Sequence, residues 1–409
     1  MRPATSKSLI TSLITSLVMG LSGLAAADVV TDWNEKAVAV GYAANAGHAN
    51  AWNVAIVHLA IFEALNSIEP RYTPYRKRLP VEPGASRDAA AAAAAHYVLM
   101  RVYPAQAKDL DKALQASLAG IADGPSKANG LRLGEQSGAV IVAERSTDGF
   151  NAPNTYRPAT SAGTYVPTVL PAGFNVASMR PFALKTGNQF RPAALYALTS
   201  PEWAKDYNEV KRMGAKTGSA RTAEQTEIAR FWEMIGPATY NPLVSQLSVP
   251  KGLDVLDNAR VFALVAMATA DALVAIFDAK YAYNFWRPVT AIRNADMDGN
   301  DATERDAAWE PFISTPMHPE YPCAHCITHS AAATVLEAFF GNSIPPVKLT
   351  STTAPGVTRT FTRLSDYVTE VINARIYDGV HYRTSGEVGA AMGRKIGEYT
   401  VQNYFKPLP

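Results

Sequence analysis

The sequence predicts an all-α helical bundle. Three observations carry this reading. The long N-terminal segments are rich in Ala and Leu without internal Pro, they end at Gly or Pro signals, and nothing along the chain reads as a β-sheet. No repeat of 20–50 residues marks a solenoid.

The first 27 residues read as a secretory signal. Arg2 and Lys7 form a basic start, Leu9 to Leu24 is largely apolar but broken by Ser and Thr, and Ala25-Ala26-Ala27 offers a small-residue cleavage site before Asp28. The expected mature chain therefore begins near Asp28 and is exported, periplasmic or secreted. No later run approaches 18 consecutive apolar residues, so no membrane span is expected in the mature chain.

From there Trp52 to Ser67, Ser86 to Val102 (with the run Ala89 to Ala95), Ala105 to Ile121 and Ser126 to Ser146 all read as helices. Thr147 to Arg191 carries several Pro, Gly, Tyr and Phe with no periodicity, and reads as a long irregular connection. Helices resume at Pro201 to Gly214 and Thr222 to Ile235, where Thr222 with Gln225 makes a capping-box signature. Asp254 to Tyr283 is a long apolar helix or a pair of them. Ile327 to Phe340, Ser365 to Tyr377 and Ser385 to Tyr404 complete the set. The irregular stretch sets the expected division: an N-terminal helical region over 28–190 and a C-terminal helical domain over 191–409.

Composition bounds the function. The chain has 409 residues, 48% of them hydrophobic, enough for a large core. The formal net charge of +2 falls close to zero once Arg2 and Lys7 are removed. A near-neutral chain with dispersed charge gives no support for nucleic-acid binding. The two cysteines, Cys323 and Cys326, provide no disulfide framework for the fold.

Chemistry concentrates in three cationic elements. In the first, Lys280 and Arg287 stand seven residues apart, nearly two helical turns and about 10 Å along an axis. Pro288 disfavours helix at Arg287, which is expected where the helix ends. In the second, His318-Pro-Glu-Tyr-Pro-Cys-Ala-His325 leads into an apolar helix, placing His325 at an N-terminus whose free N–H groups favour an anion. In the third, Arg375 and His381 bracket Tyr377-Asp378-Gly379, with Gly379 supplying a reversal that could aim His381 at the same pocket. One Lys, two Arg and two His make a site for a tetrahedral oxyanion such as phosphate or vanadate. Each element also has a plain structural reading: solvated basic residues, a capping loop, or an Arg favoured at a helix C-terminus.

In order and spacing the three elements resemble the superfamily of vanadium-dependent haloperoxidases and type 2 phosphatidic acid phosphatases. That pattern is Lys, six residues, Arg-Pro; then Pro-Ser-Gly-His; then Ser-Arg, five residues, His, with an Asp usually four further on. Lys280, Arg287 and Pro288 match the first part, Pro322 and His325 the ends of the second, and Arg375 and His381 the third. His318 looks like an additional histidine of the bromoperoxidase branch. The likeness covers about 255–400. It departs at Cys323-Ala324 for Ser-Gly, Ala374 for Ser and Ser385 for the Asp.

The resemblance implies an all-helical bundle whose cofactor is vanadate, or whose bound anion is phosphate in a phosphatase. It implies that Lys280, Arg287, Arg375 and the Cys323-Ala324 wall hold the oxyanion. His381 would be the vanadium ligand or phosphoryl acceptor, and His325 the acid–base group. The first expectation is an exported haloperoxidase that oxidises halide with hydrogen peroxide and passes it to a small organic acceptor. The alternatives are a soluble acid phosphatase acting on phosphate esters, and a non-catalytic oxyanion binder or CxxC redox protein. The sequence leaves the oligomeric state open, a homo-oligomer included, and leaves Cys323 and Cys326 either bridged or reduced. Zinc on Cys323, Cys326, His325 and His329 is disfavoured by crowding, and Asn294 to Asn300 reads as a polar turn rather than a calcium loop, since Arg305 stands at the twelfth position.

Overall fold

The computed structural model describes residues 28–76 and 79–409. The secretory segment read at 1–27 lies outside them. Helix α1 (Val29–Ala43) starts where the Asp28 carboxylate accepts from Thr31 N at 3.0 Å, and it buries Val30, Trp33, Ala37 and Val40 at helical spacing. Then come α2 (His48–Ile68), α3 (Arg87–Val102), α4 (Ala107–Leu118) and α5 (Pro125–Arg145). The connection after α5 is irregular, as expected, apart from one 3-10 turn at Asn175–Ser178.

The C-terminal part runs α6 (Pro201–Gly214), α7 (Ala223–Phe231), α8 (Pro237–Lys251), α9 (Val255–Tyr283) and α10 (Pro288–Arg293). It continues with α11 (Ala324–Phe340), strands β1 (Ser343–Ser351) and β2 (Ala354–Arg363), α12 (Leu364–Tyr377) and α13 (Arg383–Asn403). The Thr222–Gln225 capping box forms with both of its bonds. The segment from Asp254 is one helix, with Asp254 as its N-cap.

Three features correct the sequence reading. Helix α8 forms in spite of Pro242 and Pro250 inside it, and α1 and α10 were not anticipated. The antiparallel β1–β2 hairpin departs from the expectation of no sheet, although the class remains helical. Its sequence hides strand periodicity behind Pro345 and Pro346, which fall where the register shifts between Ser343 and Val347. The hairpin buries Val347, Leu349 and Phe361, and the Gln246 side chain of α8 bonds both the N–H and C=O of Lys348 at 3.0 and 2.8 Å.

One apolar core takes residues from both sides of position 190. Helices α2 and α9 are each long and apolar enough to cross a membrane, yet 94% of each apolar window is covered by the rest of the protein. Both therefore act as core helices here, with α9 packed on α2, α11 and α13. The α11–α13 contact is made close by Gly389, Gly393 and Gly397. A Cβ at 389 would stand 2.7 Å from Cys323 O, and one at 393 would stand 2.2 Å from Ile327 O. This packing fixes the first turn of α11, where the second cationic element lies.

Candidate active site

Lys280 sits in the last turn of α9, which stops at Asn284 in a left-handed cap (φ 48°). Arg287 follows in extended backbone as the N-cap of α10. The two are thus not stacked on one helical face, as their spacing suggested; a chain reversal brings both onto the loop 318–320. Lys280 Nζ donates to Pro319 O and Glu320 O at 2.9 and 2.6 Å, and Arg287 Nε donates to His318 O at 2.9 Å. Arg287 Nη1 also donates to Val380 O at 2.8 Å, linking this loop to the third element.

The third element turns as expected. Gly379 has φ 77°, and a Cβ there would lie 2.4 Å from Gly214 O, so only glycine fits between the turn and the end of α6. After the turn, His381 Nε2 stands 3.3 Å from Arg287 Nη1 and its Nδ1 stands 2.6 Å from Glu320 Oε1. Arg375 donates to Trp232 O at 3.1 Å and to Asp378 Oδ2 at 2.6 Å. His325 occupies the first turn of α11, and its ring lies parallel to that of His329. His318 Nδ1 is 2.9 Å from Arg287 Nη2, with its ring edge-on to Phe277.

All of these side chains are buried: Lys280 is 0% exposed, Arg287, Arg375 and His381 are each 1%, and His325 is 6%. The solvated-surface reading of Lys280 and Arg287 therefore fails. Burial, and then the neighbouring Arg287, push Lys280 well below its ordinary pKa. Burial also lowers Arg287 to about 10. Burial together with the surrounding cations keeps His318, His325 and His381 neutral, with pKa values well below the usual range. Burial raises Glu320 and Asp378 to about 7 each, opposed by Lys280 and Arg287 for the first and by Arg375 for the second. Arg287 and Arg375 stay cationic beside two carboxylates that burial draws toward neutrality, a balance that favours an anion.

Among the buried polar atoms of this cluster without a hydrogen-bond partner in the protein are Arg375 Nε and His325 Nε2, alongside Glu320 Oε2, Asp378 Oδ1 and His329 Nε2. Such atoms cost about 1–3 kcal/mol unless something bonds them. The first-turn amides of α11, at Ala324 and His325, add donors with no intrahelical acceptor. Cys323 is joined to Cys326 in a disulfide, which removes the zinc alternative and leaves no thiol hydrogen at the altered wall. Among the described residues no group of three or more His, Cys, Asp and Glu could hold a metal ion. In the 294–300 turn Asp298 is committed to Trp203 Nε1 and Thr303 Oγ1, both at 2.8 Å.

Sequence reasoning missed Glu320. It lies in a loop, 61 positions from its histidine, with no periodic signal to mark it. Two cavities border the cluster. One of about 420 Å³ has Arg287 in its wall with Tyr165, Thr290 and Met317. The other, of about 320 Å³, is bounded by His48, Leu273 of α9 and Thr328 of α11, one turn beyond His325.

Residues 260–408 match the family model described as the VCPO second helical-bundle domain. That stretch has the helical-bundle fold the family model describes. A vanadium chloroperoxidase from Curvularia inaequalis is 24% identical over 204 residues, 40% of this chain and 33% of that protein, so the match spans about a third of the relative's length. A bacterial vanadium-dependent iodoperoxidase shares the fold with a TM-score of 0.80 at 23% identity, over 93% of this chain and 97% of its own. An apo-type bacterial vanadium-dependent chloroperoxidase follows with a TM-score of 0.72 at 18% identity, over 87% and 92% of the two chains. The superfamily resemblance read from the three cationic elements therefore stands, and so does the bundle fold.

Proposed function

We propose that this protein is a vanadate-dependent haloperoxidase that oxidises halide with hydrogen peroxide and delivers the product to a small organic acceptor. The observation that carries the reading is that Arg375 Nε and His325 Nε2, both buried and without a partner, lie in one cluster with the buried Lys280 and Arg287. An oxyanion satisfies both, because Arg375 offers a donor and a neutral histidine donates or accepts according to tautomer. Lys280, Arg287, Arg375 and the α11 amides at Ala324 and His325 would hold its oxygens, and His381 Nε2 would bond the vanadium. Vanadate supplies, when bound, the Lewis-acid centre at which peroxide is made electrophilic toward halide.

The chain's own contributions are positional and electrostatic. The buried guanidinium groups and the ammonium present donors in fixed places, so little reorganisation is needed as negative charge builds on the bound oxygens. His325, neutral and with Nε2 open, would accept and give back a proton at that atom. His318 orients Arg287 through Nδ1. Cys323 contributes no side-chain donor, so the oxyanion would meet one hydrogen bond fewer than a hydroxyl at that place gives. Export to an oxidising compartment belongs to the same proposal, supported by the Cys323–Cys326 disulfide.

The test is a paired assay on purified protein with orthovanadate: peroxide-dependent oxidation of chloride, bromide and iodide, and hydrolysis of a phosphate monoester. Vanadate should switch on the first and inhibit any trace of the second. Phosphatase turnover without vanadate, and no halide oxidation with it, would assign the site to phosphoryl transfer instead.

A further inference from the structure

Ser385 stands where the resemblance places an Asp, four residues after His381. The structure puts a different carboxylate in that corner. Glu320 is fully buried, its Oε1 lies 2.6 Å from His381 Nδ1, and the same oxygen accepts from Tyr382 N at 3.1 Å. Ser385, also fully buried, sets its hydroxyl beside this carboxylate. A side chain reaching from 385 and one reaching from 320 therefore meet in the same place. The other nearby acid, Asp378, is engaged by Arg375 at 2.6 Å.

The contacts at the ring agree with one another. Lys280, Arg287 and the Tyr382 N–H all favour the ionised Glu320, whose Oε1 then accepts, so the ring proton belongs on Nδ1 and Nε2 is left with its lone pair. Arg287 Nη1, 3.3 Å from Nε2, only donates and fits the same tautomer. Glu320 also braces the first cationic element, because its main-chain carbonyl takes Lys280 Nζ at 2.6 Å. One loop residue thus ties the lysine by its backbone and the histidine by its side chain.

We infer that Glu320 is the positioning carboxylate of this site, displaced in sequence from the helix-α13 position to the loop before α11, and that it holds His381 as the Nδ1–H tautomer with Nε2 directed at the oxyanion. This rests on the oxyanion reading above. The consequence is a swap: a carboxylate returned to residue 385 substitutes for the one at 320.

The test uses the full-length protein with 15N-labelled histidine, the His381 signal being assigned by its loss in His381→Gln. Ring nitrogen shifts are recorded for the wild type, Glu320→Gln and Glu320→Gln/Ser385→Asp, and dissociation constants for orthovanadate and inorganic phosphate are measured in parallel. The wild type should show a protonated Nδ1 and a bare Nε2. Glu320→Gln should weaken both anions by about 10–100-fold, the usual cost of losing a partner behind a ligand. The double variant should recover the wild-type ring signature and most of the affinity, an outcome that a purely structural role for Glu320 does not produce. A wild-type ring protonated on Nε2, an unchanged affinity in Glu320→Gln, or a double variant no better than the single one would each overturn the assignment. If the wild type binds neither anion, the oxyanion reading falls, and the ring signature still decides whether Glu320 sets the tautomer.

Discussion

Arg145 and Arg375 are built alike and end differently. Each is buried and pairs with an Asp three residues on, at 3.0 Å to Asp148 and 2.6 Å to Asp378. Arg145 commits every nitrogen: Nε to Asp148, Nη1 to Pro181 O at 3.2 Å and Tyr75 OH at 3.4 Å, and Nη2 to Arg180 O. Its guanidinium also sits over Phe182, 4.0 Å from the ring centroid. Arg375 keeps Nε unpartnered in the interior. A saturated buried arginine clamps the irregular connection after α5 to the N-terminal helices, whereas an unsaturated one beside two other cations is poised for a ligand. Burial and charge alone do not separate these cases; the leftover donor does.

The largest expected effects test that contrast. Arg145→Met leaves the buried Asp148 only its longer pair with Arg180, at 3.7 Å, and should cost about 3 kcal/mol of stability. Thermal unfolding should register this loss, while the phosphate affinity of the folded fraction stays unchanged. Arg375→Gln should lower vanadate and phosphate affinity by about 10²–10³-fold, the scale set by losing one preorganised oxyanion donor. Calorimetric titration of the two variants side by side would break the comparison if Arg145→Met also lost anion binding.

Next come the small-residue helix contacts, one in each half. A Cβ at Gly134 on α5 would lie 2.3 Å from Ala90 O, and one at Gly393 on α13 would lie 2.2 Å from Ile327 O. Replacing either by Ala forces its helix pair apart and should cost about 1–3 kcal/mol. Only Gly393→Ala should also weaken anion binding, because α11 carries His325 on its first turn. Equal loss of affinity in both variants would mean that the two interfaces are not functionally separate.

These contrasts also mark what the sequence could and could not say. Lys280, Arg287, His325, Arg375 and His381 were legible because their local spacings survive folding as separate elements. Glu320 was not, since its pairing with His381 is purely tertiary. Nor could the sequence decide between a bridged and a reduced Cys323; the 5.4 Å Cα separation imposed by the entry into α11 brings the sulfurs together. Helix α8 escaped notice because Pro242 and Pro250 count against a helix locally, while the burial of Tyr240, Leu243, Val244 and Leu247 outweighs that penalty. The hairpin was hidden in the same way by its prolines.

The smallest predicted effect concerns acid. Burial lowers His58 to about 3, and its Nε2 is 3.0 Å from Asn34 Oδ1 in the N-terminal core. Its folded pKa lies below the unfolded value near 6.5, so its contribution to stability is full above that pH and is lost progressively as pH falls toward 3. Between pH 6.5 and 5.5 the loss attributable to this residue is about 1 kcal/mol. A His58→Gln variant should therefore show a shallower fall in Tm over that interval, and an equally steep fall would remove His58 from the account.

The central claim is that the C-terminal cluster holds a tetrahedral oxyanion through donors the protein leaves unpaired. Calorimetric titration of orthovanadate into the wild type and into Arg375→Gln addresses it most directly. The expectation is one site per wild-type chain, competed by phosphate, and an affinity about 10²–10³-fold lower in the variant. Wild-type protein that takes up no vanadate, or a variant that binds it equally well, would contradict it.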